Sequence, residues 1–138
     1  MAGKYLFTNN ATSILRIDTP AASTTITVPT GEGVKFPTPT APDFAMVTLE
    51  DRRSGQLEIC KMTARSTDVL AVTRAQEGTT AQSFLAGASV SNRMTAGTLA
   101  GIQSSGSFLP IDGSQPMGGN LDMGNHTIIN ATLDGGTF

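Results

Sequence analysis

The sequence contains no tryptophan, one cysteine and one histidine, and its aromatic side chains are six Phe and one Tyr. Each scarcity removes a class of chemistry. With Cys60 alone there is no intrachain disulfide, and its place in an apolar strand pattern reads as a buried, inert thiol. His126 alone rules out a two-histidine metal site within one chain and leaves little for a Ser-His-Asp or Cys-His arrangement. Two readings of His126 stay open: three copies meeting around a metal on an axis, or an outward, solvated ring. Charged residues make up 14% of the chain, below the roughly 25% of ordinary domains. The net charge is −2 and there is no basic run, so no nucleic-acid partner is expected. No stretch approaches the ~20 apolar residues of a membrane span, so no membrane is expected either. Residues 1–10 lack the apolar core of a signal peptide, which points to synthesis in a reducing cytosol.

What is abundant favours strands and turns. There are 20 Thr and 15 Gly in 138 residues, enough chain for one modest domain and a tail. Lys4–Phe7, Ser13–Ile17 and Thr24–Val28 read as short strands, with Asn9-Asn10 a turn signal. Residues 29–42 hold four prolines and two glycines and read as an exposed excursion or edge. Stiffened by proline, that segment is also the leading candidate for a docking surface, set against a bland excursion. Phe44–Glu50, Gln56–Arg65 and Val69–Arg74 alternate apolar and polar residues and are joined by hairpin-length turns. They predict a three-stranded antiparallel meander. Both faces carry apolar side chains, so a second sheet or neighbouring subunits should cover it. A strand follows at Ser89–Met94. Thr95–Gln103 predicts a short helix with Thr95 as N-cap, weakened by two glycines and dependent on packing partners. Ser104–Ser107 reads as a linker.

No catalytic constellation emerges. Glu50 and Asp51 flank a turn beside Arg52 and Arg53, which reads as a solvated loop rather than a paired-carboxylate cleft. Thr30–Gly33 lacks the Lys-Ser/Thr and helix of a phosphate loop. An enzyme is not expected, and neither is a cofactor or a metal.

Residues 116–132 are different in kind. Small polar residues are punctuated by Met117, Leu121, Met123, Ile128 and Ala131, with Leu133 just beyond. One such chain buries too little to offset an ordering cost of about 1–2 kcal/mol per residue. Yet it is too apolar for a plain linker. Three identical chains round one axis resolve the conflict, each hiding an apolar residue per layer. The expected trimer interface is Leu99, Ile102, Leu121, Met123, Ile128 and Leu133. Upstream, Arg74, Gln76, Glu77, Gly78, Thr79 and Thr80 form the most specific cluster. It reads either as a docking surface or as a hydrogen-bonded turn in which Arg74 pairs with Glu58 or Glu77. Gly78 suits a turn with positive φ.

The run Leu57–Ala81, with its Thr-Arg-Ala-Gln-Glu-Gly-Thr-Thr-Ala core, then Phe84, Gly87–Val90 and Arg93–Ala96, resembles N-terminal domains of tail fibre and related tail proteins of tailed bacteriophages. Met117–Asn130 resembles the start of many phage fibre shafts. Together these signals span roughly residues 44–132, in fibre order. The resemblance implies a virion-attached domain followed by a trimeric shaft. The departure is that the sequence stops at Phe138, as a short adaptor or a fragment of a longer fibre.

The resulting expectation is a mainly β protein. Residues 1–94 form an antiparallel, β-sandwich-like virion-attachment head, 95–107 a short helix and Gly/Ser linker, and 108–138 an extended fibre-like tail that starts a trimeric shaft. It implies a homotrimer in the virion tail, assembled in the host bacterial cytoplasm. Its neighbours are other tail or baseplate proteins and a more distal fibre protein. Rival readings are a head or collar fibre, a host receptor-binding module, and a depolymerase fragment.

Overall fold

A computed structural model describes residues 3–104 together with Gly124, Asn125, Thr127 and Ile129. Alternation in residues 45–49 sets the architecture. Ala45, Val47 and Leu49 point to one side and are fully buried. Their strand, β3 (Ala45–Asp51), is preceded by β1 (Thr12–Ile14) and β2 (Thr25–Thr27), and followed by β4 (Gln56–Ser66), β5 (Val69–Gln76) and β6 (Ser89–Asn92). The helix α1 (Ala96–Ser104) comes next. The protein is mainly β, as its Thr-rich, alternating sequence predicts.

The meander β3–β4–β5 forms as expected. Val47 pairs with Cys60, Ala45 with Met62, and Met62 with Val72. The inward side chains Glu58, Cys60 and Met62 therefore meet Ala45, Val47, Leu49, Leu70 and Val72. The remaining strands extend the same sheet, in the order β1-β6-β3-β4-β5-β2. Two packed sheets are not found among the described strands. Instead one sheet curls over its own inner face. β1 and β2 stand at opposite ends of the order, yet the Arg16 N–H just past β1 donates to the Thr27 carbonyl of β2 at 2.8 Å. Leu15, Ile26, Val28, Phe84 and Val90 from the two ends complete the core. The curl follows from the right-handed twist of strands and from two register shifts between β4 and β5, since bulges bend a strand.

Three elements depart from expectation. Lys4–Phe7 is no strand but a single parallel bridge, Tyr5 to Phe44. β6 ends at Asn92, short of Met94. Residues 29–42 are not a simple excursion. Their Phe36 is 2% exposed and belongs to the core, and Pro37 and Pro39 are buried as well. The segment is also tied at its start. The Asp68 carboxylate accepts the Gly31 N–H at 3.0 Å and the Gly33 N–H at 2.9 Å. Those two N–H donors hold the Asp68 carboxyl below its ordinary pKa. Gly33 is obligatory there, because a Cβ would sit 2.0 Å from the Thr67 carbonyl oxygen. Proline and glycine were read as exposure. Here they let a tight chain path press Phe36 inward.

Candidate functional site

The most specific cluster of the sequence is built on a buried carboxylate. Alternation in β4 sends Glu58 inward beside Cys60, and Glu58 is fully buried. A buried carboxylate is costly unless each lone pair is used. Here the Arg74 Nε donates to one oxygen at 2.7 Å and the Arg74 Nη2 to the other at 2.6 Å. The N–H groups of Ala75 and Gln82 donate at 3.0 and 2.9 Å. The Ala75 N–H reaches inward because β5 bulges at this point. Ile59 pairs with Gln76 and Lys61 with Thr73, so Arg74 and Ala75 together face Cys60. Ala75 takes φ 55° to allow it.

Arg74 is as fully used as its partner. Its Nη1 donates to the carbonyls of Pro20 and Ser23 at 2.9 and 3.2 Å, and its Nη2 also donates to Gln82 at 2.7 Å. Every N–H of the guanidinium fork has an acceptor. One side chain thus ties the loop before β2, strands β4 and β5, and the segment before β6. Burial pushes the Glu58 pKa up, but the Arg74 hydrogen bonds, the two backbone donors and the Arg74 charge outweigh it and leave it below the ordinary range. The hydrogen bonds to Glu58 raise the Arg74 pKa. Burial and the neighbouring Glu58 charge push the Cys60 thiol up to about 12, so it stays protonated.

Of the two partners considered for Arg74, the geometry selects Glu58. Glu77 does something else. At φ 51° it turns away from β5. Its carboxylate accepts the Thr95 hydroxyl and, at 3.0 Å, the Gly97 N–H. Thr95 Oγ1 itself accepts the Thr98 N–H at 3.1 Å, as an N-cap should. Glu77 thereby fastens the start of α1 to the sheet, where a negative charge suits the helix dipole. One turn later a Cβ on Gly101 would come within 2.6 Å of the Tyr5 hydroxyl, and one on Gly97 within 2.6 Å of the Glu77 carboxyl carbon. Tyr5 in turn packs edge-on against Phe44, with centroids 4.6 Å apart, and Lys61 Nζ sits 4.2 Å over the Phe44 ring. The two glycines, expected only to weaken the helix, are its contact surface. Their i, i+4 spacing was the available signal.

The rest of the cluster pins the turn. The Gln76 Nε2 donates to the Arg74 carbonyl at 2.8 Å. Thr79 Oγ1 donates to the Gln76 carbonyl at 2.7 Å and accepts the Ile59 N–H at 3.1 Å. Thr80 is exposed and stands outside this network. Gly78 has φ 77°, and nothing lies within 4 Å of where its Cβ would be. The constraint there is therefore backbone alone. Gly78→Val is expected to cost about 1–3 kcal/mol of stability through that strain. An unchanged melting temperature would show that the turn relaxes freely.

Glu50 and Asp51 border a shallow cleft of about 280 Å³ with Arg52, Arg53 and Leu85. Both carboxylates are engaged locally. Glu50 pairs with Arg93 at 2.6 Å, and Asp51 accepts the Arg53 N–H at 2.9 Å. Among the described residues no group of three or more His, Cys, Asp or Glu could hold a metal ion, and no helix is long and apolar enough to cross a membrane. Of the expected trimer residues, Leu99 is 47% exposed and Ile102 is half-buried. Leu121, Met123, Ile128 and Leu133 lie outside the described residues, as does His126. Compared with known proteins, the chain matches no family model and no curated protein sequence.

Proposed function

We propose that this chain is a non-enzymatic structural component of a bacteriophage tail. Its β-rich head, a single curled sheet, anchors to the tail tip or baseplate, and residues 108–138 begin a trimeric fibre that serves host attachment. The observation that carries this reading is the order of two sequence signals. The Thr73–Ala81 motif falls on the turn that fastens α1, and the Met117–Asn130 motif lies downstream of that helix. A head that grips the base of the segment leading to a fibre is what such an anchor requires. The rigid cross-tie of Glu58 and Arg74 adds to this, because a mechanical junction must keep its shape under load. No catalytic step is part of this role, and no cofactor or metal is called for.

The test is the oligomeric state of the full chain and of Leu121→Asp. Wild type is expected to scatter light as a trimer. In the variant three carboxylates share one layer, where desolvation and like-charge repulsion both oppose assembly. It should keep a folded head and become monomeric. A monomeric wild type would end the fibre reading.

A further inference from the structure

We infer that α1 is two-sided: its glycine side seats on its own head, and its opposite side packs against the same helix of two other copies of this chain. This rests on the trimeric-fibre reading and adds which side of which element makes the contact. At 100° per residue, Gly97, Thr98 and Gly101 share one side of the helix, and Ala96, Leu99, Ala100 and Gln103 the other. The first side is spent. Gly97 lies on Glu77, Gly101 lies on Tyr5, and Thr98 is fully buried.

The second side is exposed, and it is unlike a solvated face. Residues 96–104 contain no Asp, Glu, Lys or Arg, whereas the outer side of a surface helix is ordinarily charged. Leu99 is 47% exposed, and Met94 just before the helix is 62% exposed. With no charge along the helix, nothing on it repels an identical neighbour. The alanines allow helix axes to approach to the lower end of the usual 8–10 Å spacing.

The occupant follows from what comes next in the chain. Residues 105–138 follow α1 in the sequence and hold Leu121, Met123, Ile128 and Leu133. Whatever gathers three tails also gathers three α1 helices. One leucine and two alanines per copy fall well short of the ~1,000 Å² that a lasting interface needs. The helices therefore form a collar on a longer contact and do not assemble by themselves.

The experiment uses the full chain with Leu99→Cys, with Arg52→Cys as the exposed control. Cys60 stays in place, being buried and unreactive. Under mild oxidation Leu99→Cys should convert to a disulfide-linked dimer, since two thiols of a trimer can pair, while Arg52→Cys should not. A trimeric Leu99→Cys that links no faster than the control overturns the two-sided helix and leaves the fibre reading standing. A monomeric wild type overturns both.

Discussion

Arg74→Met is expected to lower the free energy of unfolding by about 3–5 kcal/mol, the usual cost of removing one member of a buried ion pair. The number is large because two losses coincide. Glu58 stays in the core with only the Ala75 and Gln82 N–H groups and the weak Cys60 thiol donor left to hold it. The carbonyls of Pro20, Ser23 and Gln82 lose their donor at the same time. Converting the pair to apolar residues rescues some proteins. Here Glu58→Leu with Arg74→Met should recover little, because five backbone groups lose their side-chain partners and neither Leu nor Met can replace them. Urea denaturation of the single and double variants measures both. A single-variant loss below about 1 kcal/mol, the range of exposed pairs, would mean that the pair is not truly desolvated.

The same pair sets an acid limit. The Glu58 pKa in the folded protein lies below its ordinary value of 4.5. The unfolded chain therefore takes up the proton first as pH falls. The stabilisation is fully present above the unfolded value and is lost as pH drops toward the folded one. Glu32, Glu50 and Asp68 are lowered as well, so the wild-type profile sums several groups. Glu58→Gln should start less stable and show a shallower decline between about pH 5 and 3. Parallel slopes in the two proteins would remove Glu58 from the titration.

Phe36→Ala is expected to cost about 3–5 kcal/mol, as for other buried aromatics cut to alanine. Were residues 29–42 a simple excursion, the cost would stay within about 0.5 kcal/mol, as at ordinary surface sites. Val34→Ala in the same segment, where the side chain is 73% exposed, should show that small effect. Thermal or denaturant midpoints of the two variants decide the matter. Equal, small shifts would detach the segment from the core.

The contrast between Phe36 and Val34 shows where sequence reading reaches its limit. Period-two alternation is a local property, so β3, β4 and β5 were legible; which side of β4 turns inward, and that Glu58 goes with it, was not, because both faces carry apolar side chains. Neither was the curl. It depends on Arg16 meeting Thr27, two residues eleven apart that belong to opposite ends of one sheet. No alternation encodes that closure, and apolar residues on both sides of a strand look the same whether a second sheet or the same sheet covers them. Residues 29–42 misled for a related reason. Proline and glycine report backbone constraint, and constraint was equated with exposure. In the cluster after β5 the residue types were legible but their division of labour was not. Arg74 points to the core and Glu77 to the helix, because Ala75 and Glu77 take positive φ where no glycine marks the bend. The Thr95 cap signal and the i, i+3 spacing of Leu99 and Ile102 gave the position of α1 within one residue. Which side it presents to the sheet depended on Tyr5, ninety-odd residues earlier in the sequence.

The meeting of β1 and β2 has a consequence for crowding. A flat sheet ends in two rows of unpaired backbone groups, and any copy nearby can add its own strand to them. In this sheet both end strands are three residues long, and one occludes the other through the Arg16–Thr27 bond. Copies held side by side reach effective concentrations in the millimolar range, where open rows would recruit one another into growing ladders. Among the described residues, a curled sheet with two short end strands brought together leaves less open edge for that growth than a flat sheet of six strands would.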